Sequence, residues 1–259
     1  MKQLTVIISY YKAIDNLKLI LKALNGQSTM DFEVIVSEDD DNEETVSFIE
    51  KNRTAYTFSI SHIHQPNHGF RKNKVLNQSI LHCKTEGIAF IDGDCIPHRH
   101  FVEEYIKNIK DDCFLSGRSL MLGEQISAQI KKQESLESLN FFSLIFSNSS
   151  KIKEGIYSPF FSLSLKVNGL LGRNWGIKKK YLLEVNGFDE DYTGAGVGED
   201  VDIEWRLIAL GLKIKSIKNK AIVYHIYHPR AYSEDGVQKN YALLNKKKNL
   251  KKVQCLNGI

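Results

Sequence analysis

Asp92-Gly93-Asp94 places two carboxylates around one glycine, directly after the apolar run Gly87-Ile88-Ala89-Phe90-Ile91. Acids that end a buried strand lie at the carboxyl edge of a sheet, where open α/β folds bind ligands. Carboxylates this close repel unless a cation sits between them. A hard divalent metal, often shared with a substrate phosphate, meets that need. A turn or helix cap after a strand would read the same way, so the motif gains meaning only from its company.

Five further groups keep that company. Ser9-Tyr10-Tyr11-Lys12 ends the first apolar run and Glu38-Asp39-Asp40-Asp41 ends the second. In a parallel sheet both fall on the same edge as Asp92 and Asp94. Glu38 and Asp39 come directly after the strand, where a carboxylate can accept from a base or ribose. The acids from Asp40 to Glu44 serve equally well as helix N-terminal charge. His68-Gly69-Phe70-Arg71-Lys72-Asn73-Lys74 sets a glycine, a ring and three cations at a helix start. That is a cradle for a diphosphate with a ring for a nucleobase, or a glycine turn before a solvated basic helix. In Gly194-Ala195-Gly196-Val197-Gly198-Glu199-Asp200-Val201-Asp202 the glycines follow no apolar strand, which argues against a dinucleotide fingerprint and a nicotinamide oxidoreductase. The segment reads as a flap that delivers a carboxylate at a helix start. His225-Ile226-Tyr227-His228 follows an apolar strand; on a strand, residues three apart face opposite ways, so one metal-ligating histidine is expected rather than a pair. Either histidine alone also reads as a hydrogen-bonded structural residue.

The elements that must position these groups alternate. Strand signals at Leu4–Ser9, Phe32–Ser37, Tyr56–Ile63 and Gly87–Ile91 are separated by helical spacing at Leu17, Ile20, Leu21 and Leu24, at Glu43–Lys51 and at Val75, Leu76 and Ile80, with His100–Lys110 helical after them. This rhythm predicts a parallel sheet covered on both faces. The second half predicts helices at Gln125–Leu139, Lys179–Val185 and Asp200–Ala209, and strands at Gly169–Ile177, Leu212–Ile217 and Ala221–Tyr227. Phe141–Leu165, rich in Ser and Phe, fits no pattern and reads as a mobile or acceptor-side segment.

In combination the motifs resemble an inverting family 2 glycosyltransferase of the GT-A fold, over residues 4 to about 230. Val6-Ile7-Ile8-Ser9-Tyr10-Tyr11-Lys12 resembles that family's opening strand, with Ser9 and Lys12 in place of the usual proline and asparagine. Ser37-Glu38-Asp39 resembles its uracil-reading acids, and Phe90-Ile91-Asp92-Gly93-Asp94 its metal-binding D-x-D. Phe70 to Asn77, Asp92 to Pro97, Asn186-Gly187-Phe188-Asp189-Glu190 and Gly198-Glu199-Asp200 resemble β-1,4-galactosyltransferases and bacterial chondroitin-type polymerases. The flap lacks the tryptophans usual in those relatives, carrying Thr193, Ala195 and Val197 instead.

The resemblance implies one large domain, a Rossmann-like mixed sheet with helices on both faces. Residues 1–230 would form it, 1–120 as the nucleotide-binding half and 121–230 as the acceptor and catalytic half, with 231–259 as a basic C-terminal tail. It implies a UDP-sugar donor held by Ser9, Tyr11, Glu38, Asp39, Phe70, Arg71, Lys72, Asp92 and Gly93. It further implies Mn²⁺ or Mg²⁺ on Asp94 with His225 or His228, Asp200 as catalytic base and Glu199 holding the acceptor. The acceptor would be a glycan or lipid-linked glycan of a bacterial surface polysaccharide. Two other classes fit some of these residues. A nucleotidyltransferase of similar fold would carry a glycine-rich loop where Ser9-Tyr10-Tyr11-Lys12 stands, and a non-catalytic nucleotide-sugar binding protein would need neither Asp200 nor the flap.

Composition bounds the rest. The chain has 259 residues, 42% hydrophobic and 25% charged, ordinary values for a globular domain. A net charge of +4 gives no ground for a nucleic-acid partner. Lys178-Lys179-Lys180, Lys246-Lys247-Lys248 and Lys251-Lys252 concentrate that charge, as solvated helix faces or a frayed tail, or as a peripheral contact with an anionic membrane. No run reaches the length of a membrane span, and the opening run Leu4-Thr5-Val6-Ile7-Ile8 does not have the layout expected of a signal peptide. Four scattered cysteines fit a reducing cytoplasm, with peripheral attachment at the inner membrane face as the alternative.

Overall fold

The computed structural model describes residues 2–160, 169–195, 199–229 and 234–259. The apolar runs of the first half become strands β1 (Leu4–Tyr10), β2 (Phe32–Glu38), β3 (Ser59–His64) and β4 (Gly87–Asp92), joined through helices α1 (Ile14–Asn25), α2 (Glu43–Asn52) and α3 (Lys72–His82). Leu17, Ile20, Leu21 and Leu24 are all buried, as one apolar face of α1 requires. Along β1 the side chains alternate between two cores: Val6, Ile8 and Tyr10 join one and Ile7 joins the other. β1 pairs in parallel with β2 and β4, in a register that sets Ser9 beside both Ser37 and Asp92. Three strand ends, and the chemistry that follows them, therefore share one edge.

Beyond β4 come β5 (Cys95–Pro97), α4 (Phe101–Asn108), β6 (Cys113–Ser116), β7 (Arg118–Met121), α5 (Glu124–Gln133) and α6 (Phe141–Ile145). They are followed by β8 (Asn174–Lys178), α7 (Lys179–Glu184), α8 (Asp200–Ala209), β9 (Lys213–Ser216), β10 (Ile222–His225) and α9 (Glu234–Asn249). The main sheet has the order β3-β2-β1-β4-β8-β6-β9, and a smaller one the order β5-β10-β7. The sheet is mixed, as the resemblance implies: β1 to β4 are parallel, as the strand–helix rhythm predicts, and β8 runs antiparallel to both β4 and β6. The pairing sets Phe90 opposite Trp175, whose rings stack with centroids 4.4 Å apart. It also brings the start of β8, not its end, to the D-x-D edge, with Asn174 opposite Ile91.

Other boundaries moved for local reasons. β5, β6 and β7, absent from the sequence reading, are too short for alternation to register. The helix expected to reach Leu139 stops at Gln133 because Glu134 is left-handed, with φ 45°. The strand expected from Gly169 begins only at Asn174. Within the unassigned Phe141–Leu165 stretch lie α6 and a 3-10 turn at Ile152–Gly155, while 161–165 fall outside the described residues. The C-terminal segment is not frayed: Leu244 of α9 is buried with Tyr192, Lys247 pairs with Asp189 and Asp191, and Cys255 is buried. All four cysteines are free thiols.

Candidate active site

The turn from β4 to β5 carries Asp94. Antiparallel pairing of β5 with β10 sets Cys95 opposite His225. His225 Nε2 thereby lies 3.5 Å from Asp94 Oδ2, and His228 Nε2 lies 3.0 Å from the same oxygen. The Ile226 N–H donates to the Asp94 carbonyl at 2.8 Å and ties the two segments together. One carboxylate oxygen and two ring nitrogens lie within 4.8 Å of one another. The strand alternation behind the expectation of a single histidine does not reach His228, because β10 ends at His225, and both rings lie against Asp94. Burial lowers the His225 pKa, which favours the neutral, ligating form. Burial pushes Asp94 up, but the bond from His228 and the two imidazoles outweigh it and hold the carboxyl below its usual range. Its partner His228 is raised to about 9 by the hydrogen bond to Asp94. His225 Nδ1 is buried with no hydrogen-bond partner among the described residues.

Gly93 makes this turn possible. Its N–H donates to the Ser9 carbonyl at 2.6 Å, and a Cβ there would lie 2.9 Å from that oxygen and 3.2 Å from Tyr10 Cα. Any larger residue would push the D-x-D turn off the end of β1.

Lys72, at the start of α3, holds the other acids. Its Nζ donates to Asp92 Oδ1 at 2.9 Å and to Glu199 Oε1 at 3.1 Å. Burial alone would lower the Lys72 pKa, but the two carboxylates overcome it and raise the value. Burial raises the Glu199 pKa, with Lys72 opposing. Asp200, the first residue of α8, is held differently: Oδ2 accepts from the Gly172 N–H at 3.2 Å and Oδ1 from its neighbour Val201 N–H at 2.8 Å. Unlike Asp92 and Glu199, Asp200 makes no ion pair among the described residues.

Two cavities meet at these groups. The larger, of about 560 Å³, has Tyr11, Ser37, Asp39 and Phe70 among its walls, together with Asp94 and His228. The smaller is bounded by Asp200 and Glu199 over the rings of Phe90, Trp175 and Phe188. Both are lined by Ser9, Lys72 and Asp92, so Asp94 and Asp200 line neighbouring cavities with three wall residues in common. Among the residues expected there, Glu38, Arg71 and His225 line neither cavity, His225 lining a separate cleft beside His228. Glu38 is fully buried, with Oε2 2.8 Å from His62 Nε2 across the β2–β3 pair. Arg71 contributes its backbone, donating N–H to Asp39 Oδ2 at 2.6 Å, so Asp39 both faces the cavity and anchors the start of α3. Trp175, Phe188 and Gly172 were not singled out as site residues; the pairing of β8 with β4 places Trp175 and brings Gly172 near, and Asn77 of α3 holds the Phe188 backbone at 2.8 and 2.9 Å, which no local spacing reports. Of the glycine flap, Gly196, Val197 and Gly198 lie outside the described residues.

The frame that sets Asp200 in place is itself ionic. Asp202 and Arg206, both 1% exposed, pair at 2.7 Å on α8. Tyr192 and Trp205 also donate to Asp202, while Arg206 donates to the carbonyls of Val185 and Gly187. Arg206→Met would leave Asp202 charged and buried, and should lower stability in urea unfolding by about 3–5 kcal/mol. A change under about 1 kcal/mol would show that the pair does not carry the frame.

Comparison with known proteins accounts for this arrangement. The family model described as "Glycosyl transferase family 2" matches residues 5–168. The chain belongs to glycosyl transferase family 2. A second model, described as "N-terminal domain of galactosyltransferase", matches residues 155–229. The chain is 24% identical to the chondroitin synthase of Escherichia coli, over 89% of this chain and 36% of that protein. It is 26% identical to the hyaluronan synthase of Pasteurella multocida, over 89% of this chain and 25% of that one. The family 2 transferase thus spans about a third and a quarter of the length of these relatives. Among solved structures it resembles the Pyrobaculum calidifontis mannosyltransferase PcManGT, in complex with GDP-Man and Mn²⁺, at a TM-score of 0.64 and 13% identity, covering 96% of this chain and 64% of that one. It also resembles S. aureus TarS 1–349 in complex with UDP-GlcNAc, at 0.58 and 15%, covering 95% and 66%. The fold is GT-A in a single domain, and the chain is a glycosyltransferase.

Proposed function

We propose that the chain moves a hexose or N-acetylhexosamine from a UDP-sugar to a glycan or lipid-linked glycan acceptor, with inversion, in bacterial surface polysaccharide synthesis. The observation that carries this reading is the pair of adjoining cavities, the larger lined by Asp94 and His228, with His225 Nε2 3.5 Å from Asp94, and the smaller lined by Asp200. A carboxylate and two imidazoles suit a divalent cation, and the imidazoles favour Mn²⁺ over Mg²⁺. The buried, unpartnered His225 Nδ1 is a feature that such a use of the ring would explain. Bound there, the cation would supply positive charge to the leaving diphosphate.

The chain's own residues do the rest. Phe70 and Tyr11 offer rings to the base, and Asp39 an acceptor beside them. Lys72 bonds Asp92 and Glu199 and holds both in place, so Asp92 can receive a sugar hydroxyl while Glu199 orients the acceptor. Asp200, free of a cationic partner, accepts the proton of the attacking hydroxyl. Base on one side and diphosphate on the other give in-line displacement, hence inversion.

Thermal shift with nucleotide sugars tests the donor class. With Mn²⁺ present, one or more UDP-sugars at 100 times Kd should stabilise the chain by about 2.7 kcal/mol, raising Tm by several degrees. GDP-mannose stabilising it more than every UDP-sugar would transfer the donor to another class.

No helix among the described residues is long and apolar enough to cross a membrane. Peripheral contact at the cytoplasmic face is supported by the C-terminal surface, where exposed Lys246, Lys248, Lys251 and Lys252 surround Leu250 (56% exposed) and Leu256 (77%). Each lysine near an anionic surface contributes about 1 kcal/mol. Co-sedimentation with vesicles containing phosphatidylglycerol should be strong at low salt, absent with neutral vesicles, and largely lost on replacing those four lysines by Gln. Equal binding to both vesicle types would exclude this contact.

A further inference from the structure

A second cleft, of about 440 Å³, opens beside the histidine pair and shares His228 with the nucleotide cavity. We infer that it is a subsite for a neutral sugar of the acceptor chain, next to the sugar that is glycosylated. The inference rests on the reading of the protein as a transferase acting on a glycan.

The cleft is built, not incidental. Its floor is a two-way bridge between Met121 and Ser150, with N–H to carbonyl distances of 3.0 and 2.8 Å. At Gly123 a Cβ would lie 2.8 Å from the carbonyl carbon of Asn148 and 2.9 Å from its oxygen, so the wall closes only around glycine. The Gly123 N–H donates to Ser149 Oγ at 3.0 Å. On the opposite side, the Tyr227 N–H donates to Ser127 Oγ of α5 at 3.0 Å, which fixes the backbone of a ring left 44% exposed.

The lining chemistry selects the ligand. A ring with an apolar face and a polar tip, beside amides and a hydroxyl, suits a pyranose. The side chains of Gln125, Asn148 and Ser150 line the cleft and make no hydrogen bond within the chain among the described residues. They are therefore free to meet hydroxyl or acetamido groups. Charge rules out the alternatives. Among the described residues no lysine or arginine lines the cleft, and Glu124 adds a carboxylate. The one cationic group on the lining, His228, is already paired with Asp94 at 3.0 Å, so a phosphate or uronate would find no unpaired counter-ion and would face the Glu124 carboxylate, whereas a neutral sugar meets no such charge. The donor has its place at Phe70, Asp39 and Lys72. An acceptor that is itself a chain presents its terminal hydroxyl at Asp200 and needs a hold for the sugar behind it. A cleft that opens off the same cavity supplies one.

Saturation-transfer NMR on the full chain, with Mg²⁺ and UDP bound, tests this. The probes are N,N′-diacetylchitobiose, lactose and cellobiose as neutral disaccharides, and a glucuronate-containing hyaluronan disaccharide as the anionic one. At least one neutral probe should bind, and the Gln125→Ala/Asn148→Ala double variant should weaken it about tenfold or more while its UDP affinity stays within about twofold of wild type. Binding unchanged in the double variant, preference for the glucuronate probe, or no binding by any neutral probe at 10 mM or below (roughly the weakest range worth scoring) would overturn the subsite. Failure of the wild type to bind UDP would instead overturn the donor reading, and the disaccharide results would still decide the cleft.

Discussion

Asp200→Asn is expected to lower kcat by about 10²–10⁴, the usual worth of a positioned base, while the dissociation constant of the UDP-sugar stays within about twofold. Asn keeps the volume of the side chain and an oxygen for the Gly172 N–H, which lies 3.2 Å from Asp200 Oδ2. It removes only the ability to take a proton. Glu199 cannot stand in, because its oxygen is held by Lys72 at 3.1 Å and that ammonium is shared with Asp92. Pre-steady-state donor binding and single-turnover transfer separate the two effects. Donor affinity falling in step with kcat would mean that Asp200 holds the donor, and the base would have to be sought elsewhere.

The second large effect is metal removal. Treatment with EDTA should abolish transfer, and added Mn²⁺ should restore it in the wild type but not in Asp94→Ala. The leaving diphosphate needs positive charge, and the cleft's own cation is already committed: Lys72 lies 2.9 Å from Asp92 and 3.1 Å from Glu199. A charge contribution of several kcal/mol corresponds to about 10³ or more in rate. Activity that survives EDTA at more than about a tenth of its initial value would remove Asp94, His225 and His228 from the mechanism. Replacing His225 by Ala should leave partial activity, because His228 and Asp94 remain.

How much of this was legible beforehand depends on how local the signal is. Asp94, Asp200, Lys72, Phe70 and Asp39 could be singled out because strand ends and helix starts are written in runs of a few residues. The convergence of Asp94, Lys72, Phe70 and Asp39 follows from the parallel pairing of β1, β2 and β4, which the strand–helix rhythm implies. The antiparallel return of β8 does not announce itself in any short window, so Trp175 and Gly172 beside Asp200 stayed hidden. Glu38 misled for the opposite reason. Its position after β2 matched a nucleotide-reading acid, but strand pairing turns it to His62 in the interior, and only the register with β3 says so. The two histidines were read as if on one continuous strand, and the end of β10 at His225 undid that argument. The C-terminal lysines looked like a solvated tail because composition cannot see that Lys247 has Asp189 and Asp191 to pair with.

The most direct test of the account is Mn²⁺ titration by calorimetry in the presence of UDP, on wild type, Asp94→Ala and Asp200→Asn. If the diphosphate cation and the proton acceptor occupy separate stations of one cleft, Asp200→Asn binds Mn²⁺ with UDP as the wild type does, yet fails to transfer, and Asp94→Ala loses the coupled binding. Coupled binding intact in Asp94→Ala, or lost in Asp200→Asn, would contradict that division.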